Sequence, residues 1–241
     1  MKLSNRSLYA QARDAILEII NTNSEFMEKL PSEQDLSERL GVSRNTIREA
    51  IRSLENDGYV TSRHGVGTFI IRDTKNIKYN ISLLESATTI IQSHGYKAGT
   101  KSILYSREEA TKRIANHLHL QPSEDVLYIE RVRTADDEPV VYVEDYLPYH
   151  EDMMAQFKED YHESLLVFLE KSGQKITFCD CTIHAVISTP KVQNKLSLSE
   201  PSALLLLQQI HYSAKGIPVL YSDSYFISEK FEFNVIRKSV G

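Results

Sequence analysis

The sequence predicts an α+β protein in two parts, a helix-turn-helix head with a β-hairpin wing and a larger body on a mainly antiparallel sheet. Three observations predict it. Ser32 and Ser43 each stand where a short helix begins and Gly41 where the first one stops, so two helices meet at a tight turn. Two short β-rich runs follow, separated by the glycine-containing stretch Ser62-Arg63-His64-Gly65-Val66-Gly67. Beyond a polar stretch, helical and strand signals alternate without the regular βα rhythm of a parallel sheet.

In the head, Met1 to Arg6 leads into an amphipathic helix with internal charges. Ser32 is an N-cap with Asp35 three residues on, the spacing of a capping box, and Gly41 is the terminator. Ser43 caps the next helix, whose Ile47, Ala50, Ile51 and Leu54 fall at i, i+3, i+4 and i+7 and form an apolar stripe. Arg44, Arg48 and Arg52 run along the opposite side at four-residue spacing. After Gly58, Tyr59-Val60-Thr61 and Thr68-Phe69-Ile70-Ile71 are the two strands of the wing, and its tip carries Arg63 and His64.

This arrangement suits DNA. A helix-turn-helix unit presents the start of its second helix to base edges in the major groove, where Arg44 and Arg48 stand. A guanidinium reaches both O6 and N7 of guanine. Ser43 and Thr46, with the free backbone N–H groups beside them, suit phosphate oxygens, and Arg52, two turns on, is better placed for phosphate than for bases. Arginines at this spacing also describe any solvated helix face; the wing that follows decides for DNA. Gly65 and Gly67 let the wing's main chain approach the duplex closely.

The stretch Arg72-Asp73-Thr74-Lys75-Asn76-Ile77-Lys78-Tyr79-Asn80 is polar and aperiodic, and divides the chain into a head (1–72), a linker (73–80) and a body (81–241). In the body, Ser82 to His94 reads as a helix ended by Gly95, Ser102 to Tyr105 as a strand and Glu108 to Leu118 as a helix. Strands from Val126 to Thr134 and Val140 to Leu147 flank the turn Asp136-Asp137-Glu138-Pro139. Ser164 to Ser172 is a helix closed by Gly173, Ile176 to Ile187 a long strand, and Pro190 opens a short helix. Ala203 to Ser213 returns through Lys215-Gly216 as Pro218 to Ile227, another hairpin.

Composition sets limits. A chain of 241 residues with 41% hydrophobic and 25% charged residues is globular and long enough for two domains. The net charge of −5 would argue against nucleic acid as a single number, yet residues 39–72 carry Arg39, Arg44, Arg48, Arg52, Arg63 and Arg72 against Glu49, Glu55 and Asp57. The acidic excess lies downstream. No apolar run is long enough for a membrane span, no signal-peptide cleavage site follows Met1, and the expected compartment is the cytoplasm. Cys179 and Cys181, a lone Cys-x-Cys on a strand, make neither a zinc ribbon nor a disulfide framework, and His117 and His119 read as surface or capping residues. No metal, cofactor or catalytic constellation is expected.

The head's motifs, Leu-Pro-Ser-Glu from Leu30, Gly-Val-Ser-Arg-x-Thr-Ile-Arg-Glu-Ala from Gly41, Leu-Glu-x-Asp-Gly from Leu54 and Gly-x-Gly-Thr-Phe from Gly65, resemble the winged-helix domain of GntR-family transcription regulators of bacteria. The resemblance runs from about Ser7 to Ile71. It implies DNA contact at Ser32, Glu33, Ser43, Arg44, Thr46, Arg48, His64, Gly65 and Gly67, while an arginine common in the family's second helix has no counterpart at Gln34 or Asp35. The body, through Gly95, Leu118-His119-Leu120, Ile129 to Asp136, Leu147-Pro148, Ser164-Leu165 and Gly216-Ile217-Pro218-Val219, looks like the chorismate-lyase-like effector domain (UTRA) of the HutC branch, over roughly Ile81 to Lys238.

The resemblance implies a ligand-responsive regulator, usually a repressor, that acts as a homodimer on an inverted-repeat operator and is switched by a small anionic metabolite, with phosphorylated compounds among the candidates. Arg131 and Arg133, two apart on a strand, share one face and could clasp an anion, joined in phosphosugar-binding relatives by positions matching Ser86, Thr88 and Ser164. Val143, Leu166 and Leu220 stand where many sugar-binding members carry polar residues, and Glu144 is one place off, on the other face. The expected ligand is therefore anionic but less hydroxylated and flatter, with Tyr142, Tyr221, Tyr225 and Phe226 as candidate lining. An enzyme of the lyase fold with an appended head is the alternative from another class, against which stands the lack of a catalytic constellation.

Overall fold

The computed structural model describes residues 7–23, 28–71, 81–161 and 164–235. The expected linker at 73–80, and Arg72 before it, lie outside the described residues. The chain forms two compact units, Met1–Leu83 with Phe233–Gly241, and Leu84–Glu232. The return of the C-terminal segment to the first unit is marked by the Ile81 N–H, which donates to the Asn234 carbonyl at 3.0 Å.

The first unit opens with α1 (Leu8–Asn23), α2 (Glu33–Leu40) and α3 (Arg44–Asn56). Its local signals act as the sequence implies. Ser32 and Asp35 form a complete capping box, Gly41 ends α2 at φ +65°, and the Ser43 side chain accepts the Thr46 N–H. Ile47, Ala50, Ile51 and Leu54 are all buried, packed with Ala12, Ile16 and Ile20 of α1 and with Leu36. Arg13 ties α1 to α3, bonding Asp57 at 2.7 Å and Ser53 at 3.3 Å. The wing is β1 (Val60–Arg63) paired antiparallel with β2 (Gly67–Ile70). The sequence does not announce the segment before α2, which lies along β2: the Leu30 N–H donates to Thr68 and the Ile70 N–H to Glu28, both at 2.9 Å, with Lys29 bridged to Phe69.

The second unit begins with α4 (Ala87–Ser93), β3 (Ala98–Glu109) and α5 (Lys112–Leu118), then the hairpin of β4 (Asp125–Ala135) and β5 (Glu138–Pro148). It continues with α6 (Met153–Asp160), α7 (Leu165–Lys171), β6 (Ile176–Ile187), α8 (Pro190–Leu196), β7 (Ala203–Ser213) and β8 (Pro218–Ile227). The strands make one antiparallel sheet in the order β3-β4-β5-β8-β7-β6. Against expectation, α4 starts only where Ser86 caps it, α5 only after the cap Thr111, and β3 extends well past Ser102–Tyr105 in both directions. The β4 partner pairs with this charged edge from Ala98 to Glu109, with one register shift between Thr100 and Ser102. The β4–β5 turn is two residues, Asp136 and Asp137, both at positive φ, the geometry that matches strand twist.

The sheet is covered on both faces. Leu127, Ile129, Leu147 and Leu220 meet α6 and α7 through Met153, Phe157, Leu165, Phe168 and Leu169. On the other face, α5 packs Ile114 and Leu118 on Val126 and Tyr221, while α8 packs Val192 and Leu196 on Val132, Tyr142 and Leu204. Helix α6 has no capping signature in the sequence, since Asp152 makes no side-chain cap bond, and it buries Met153 and Phe157. Among the described residues no helix is long and apolar enough to cross a membrane.

Candidate nucleic-acid interface and ligand cavity

A groove in the first unit runs between the start of α2, the exposed side of α3 and the wing. Ser32, Glu33, Arg44, Arg48, Arg52, Arg63, His64, Gly65 and Gly67 all line it, and Ser43 and Thr46 stand at the exposed start of α3 outside that lining. The side chains are pre-ordered. Glu33 takes Arg48 in a two-point grip, Nε to Oε1 at 3.2 Å and Nη2 to Oε2 at 2.8 Å, with Arg44 Nη2 at 3.9 Å. The Arg48 hydrogen bonds, and the charge of Arg48 and Arg44, hold the Glu33 carboxyl below its ordinary range. At the wing the Arg63 guanidinium lies over the Phe69 ring, 5.1 Å from its centroid. Gly65 (φ +73°) and Gly67 (φ +132°) occupy backbone conformations that other residues adopt only with strain. Lys29 also lines the groove, brought there by its pairing with β2. Its position in an irregular segment leaves no periodic signal to find it by.

The second unit carries a half-open cavity of about 40 Å³ between one sheet face and the starts of α4 and α7. Ser86, Thr88, Arg131 and Ser164 line it, together as expected. Arg133 does not. It is fully buried beside them, on the same face as Arg131, and donates to Thr88 Oγ1 at 2.8 Å and to Thr100 Oγ1. Nor is Arg131 an open half of a clasp, because Asp145 Oδ2 accepts from its Nε (3.1 Å) and Nη2 (2.6 Å), while Nη1 donates to the Tyr161 hydroxyl at 3.3 Å. Burial opposes the Arg131 charge, but Asp145 and Tyr161 outweigh it and raise its pKa further. The other Asp145 oxygen accepts from Ser222 Oγ.

The tyrosines are corrected by strand register. Val143 and Asp145 of β5, and Leu220, Ser222 and Ser224 of β8, face the cavity, so Tyr142, Tyr221 and Tyr225 between them point to the other face. There Tyr142 donates to Glu130 at 2.7 Å, and Tyr221 donates to Asp223 at 2.8 Å while accepting from Arg113 at 2.6 Å. Phe226 packs edge-on against Phe231 and does not line the cavity. Glu144 lies on the Tyr142 face as expected, bonded by Lys191 at 2.7 Å and Tyr128 at 2.9 Å.

Asp145, Gln209, His211, Ser222 and Ser224 are cavity residues that sequence reasoning missed. The alternation Ser222-x-Ser224 and the acid two places beyond Val143 were available signals, but only sheet order joins them to β4. His211 is buried, its Nδ1 makes no hydrogen bond, and burial drives its pKa down to about 4 with Asp145 pulling weakly the other way. Cys179 and Cys181 are half-buried and unpaired with each other, with burial pushing the Cys179 thiol up to about 12, and His119 caps α5 in the left-handed conformation. Among the described residues no cluster of His, Cys, Asp and Glu is arranged to hold a metal.

Comparison with known proteins places both units. Residues 8–70 match the bacterial regulatory proteins of the gntR family, and residues 93–232 match the UTRA domain. The HTH-type transcriptional regulator GgaR of Escherichia coli K12 is 25% identical over 235 residues, covering 95% of this chain and 90% of its own. The repressor NagR of Bacillus subtilis is 24% identical over 85% of this chain and 83% of its own. Among solved structures, the possible transcriptional regulator YydK from Bacillus subtilis superposes with a TM-score of 0.73 at 22% identity, covering 97% of this chain and all of that one. PhnF from Mycobacterium smegmatis gives 0.59 at 21% identity over 95% of this chain and 99% of that one. With a gntR-type DNA-binding head and a UTRA effector domain in one polypeptide, the chain belongs to the GntR family of bacterial transcription regulators, in its HutC-type branch.

Proposed function

We propose that the protein is a repressor that binds an inverted-repeat operator as a homodimer in the cytoplasm and is switched by a small metabolite bearing an anionic group. The observation that carries the reading is the convergence of Ser86, Thr88, Ser164 and Arg131 on one cavity, at the helix that follows the linker in the chain. Because Arg131 is already balanced by Asp145, the ligand's anion meets a compensated pair rather than a bare arginine, and the hydroxyls do much of the selecting. Thr88 Oγ1 accepts from Arg133 Nη2 at 2.8 Å, so a ligand anion that draws the Thr88 hydroxyl proton couples the start of α4 to β4 through one hydroxyl. A ligand that favours one arrangement of the heads must change operator affinity by the same factor that DNA changes its own, about 5- to 150-fold for typical coupling. The repressor names of NagR and of MngR from Escherichia coli K12, described as a mannosyl-D-glycerate transport/metabolism system repressor, support the sign of regulation.

The test is a metabolite screen by thermal shift on the full chain, followed by operator titration with each stabilising compound. Ser224→Leu, which fills the cavity, is expected to abolish the response and leave unliganded DNA binding intact. An undiminished response in that variant would overturn the cavity as the effector site.

A further inference from the structure

The pairing of the segment before α2 with β2 fixes more than the backbone. Strand alternation sends neighbouring side chains to opposite faces. Leu30 is buried in the core of the first unit, so Lys29 beside it turns outward, exposed in the groove between α2, α3 and the wing. Its stem crosses the bare Cα of Gly67, where an added Cβ would run into Lys29 Cε. Gly67 leaves room for that stem as well as adopting φ +132°. The ammonium at its end has no counter-charge, for Lys29 makes no side-chain hydrogen bond or ion pair among the described residues. The two carboxylates that share the groove are already engaged, Glu33 by Arg48 and Glu55 by the Ser62 N–H at 2.6 Å.

We propose that Lys29 is a DNA-contacting residue that holds a phosphate of the duplex backbone beside the wing, through a charge contact indifferent to base sequence. This rests on the reading of the groove as the surface that takes DNA, and adds to it a contact from outside both the helix-turn-helix and the wing hairpin. The chemistry favours phosphate over a base edge. An ammonium is a compact point charge without the planar fork by which a guanidinium reads guanine. The Lys29 main chain is tied to the wing and not to α3, the helix whose start meets base edges in this kind of unit. Lys29 also gives up no internal partner when a phosphate arrives, whereas Arg48 is held by Glu33 at 2.8 Å. The nearest fixed cation on the same pairing is Arg63, stacked on the ring of Phe69, the residue to which Lys29 is bridged. Lys29 and Arg63 thus put two positive charges on the wing side of the groove, opposite the arginines of α3.

The experiment is fluorescence anisotropy of the full chain on two random duplexes, one A·T-rich and one G·C-rich, each titrated over a series of salt concentrations. Lys29→Gln is expected to weaken binding to both by the same factor and to lower the slope of log affinity against log salt by about 0.9, the value for one phosphate contact on B-DNA. Lys29→Arg keeps the charge and is expected to keep the slope, a rescue that a merely structural role would not give. Arg39→Gln removes one charge from the same unit, at an exposed position of α2 outside the groove lining, and is expected to leave the slope at its wild-type value. An unchanged slope in Lys29→Gln overturns the contact, and so does an equal drop in Lys29→Arg or in Arg39→Gln. A loss confined to one of the two duplexes overturns the phosphate assignment in favour of a contact to bases. A wild-type chain that binds neither duplex at any salt concentration overturns the reading of the groove, and the contact with it.

Discussion

Glu33 and Arg48, fifteen residues apart in sequence, are joined by two parallel hydrogen bonds of 3.2 and 2.8 Å in the groove between α2, α3 and the wing. If this groove takes DNA, a carboxylate there is unfavourable beside phosphates, but it fixes the plane of a guanidinium that would approach base edges flat. Glu33→Gln is therefore expected to raise binding to random duplex and lower the ratio of operator to random affinity, because repulsion falls while Arg48 loses its orientation. Fluorescence anisotropy on both duplexes at several salt concentrations measures this, and an unchanged ratio would show that the pair plays no part in reading sequence.

Arg44 has the looser hold on Glu33, at 3.9 Å, and its side chain is 60% exposed at the start of α3. Arg44→Ala is expected to cost about 1–3 kcal/mol on the operator and to relax one base position. Arg52→Ala, further along the helix, should weaken all sequences alike and reduce the salt slope by about one. Equal losses on operator and random DNA for Arg44→Ala would refute the base contact.

The Arg131–Asp145 pair is almost wholly buried, at 8% and 1% side-chain exposure. Removing one partner strands the other charge, so Arg131→Met or Asp145→Leu alone is expected to destabilise the chain by about 3–5 kcal/mol, whereas the two together should cost far less. Urea denaturation of the four proteins measures the coupling. Additive single and double effects would mean that the two side chains do not act as a pair.

His211 supplies a pH dependence whose sign follows from its lowered pKa. Between the ordinary value of 6.5 and about 4 the unfolded chain binds a proton that the folded chain refuses, so stability is full above that window and falls as pH drops through it. The loss should reach on the order of 2 kcal/mol near pH 5. Replacing His211 with Gln should flatten this part of the stability curve measured by denaturant titration from about pH 7 to about pH 5. A curve for the variant that keeps the same slope would assign the loss to other groups.

The head was legible because its determinants are short-range. Capping by Ser32 and Ser43, the left-handed Gly41 and the stripe from Ile47 to Leu54 each depend on residues within two turns, and the folded unit obeys all of them. Strand alternation was equally legible, and so Arg131 and Arg133 share a face and Glu144 turns away from it, as read. Which face holds the cavity is a different matter. That depends on the order β4-β5-β8-β7, which sets Asp145 beside Ser222 and Ser222 beside Gln209 across large separations in the chain. Only this order turned Tyr142, Tyr221 and Tyr225 toward α5 and α8, gave Arg131 its counter-charge and placed His211 in the lining, and in the first unit it was likewise a strand pairing, with β2, that brought Lys29 to the wing. Sequence periodicity states how neighbours on one strand are related, but it carries no information on which strand lies alongside. Pairing is decided by the burial and backbone hydrogen bonding of the whole sheet, and with it the chemistry of the cavity.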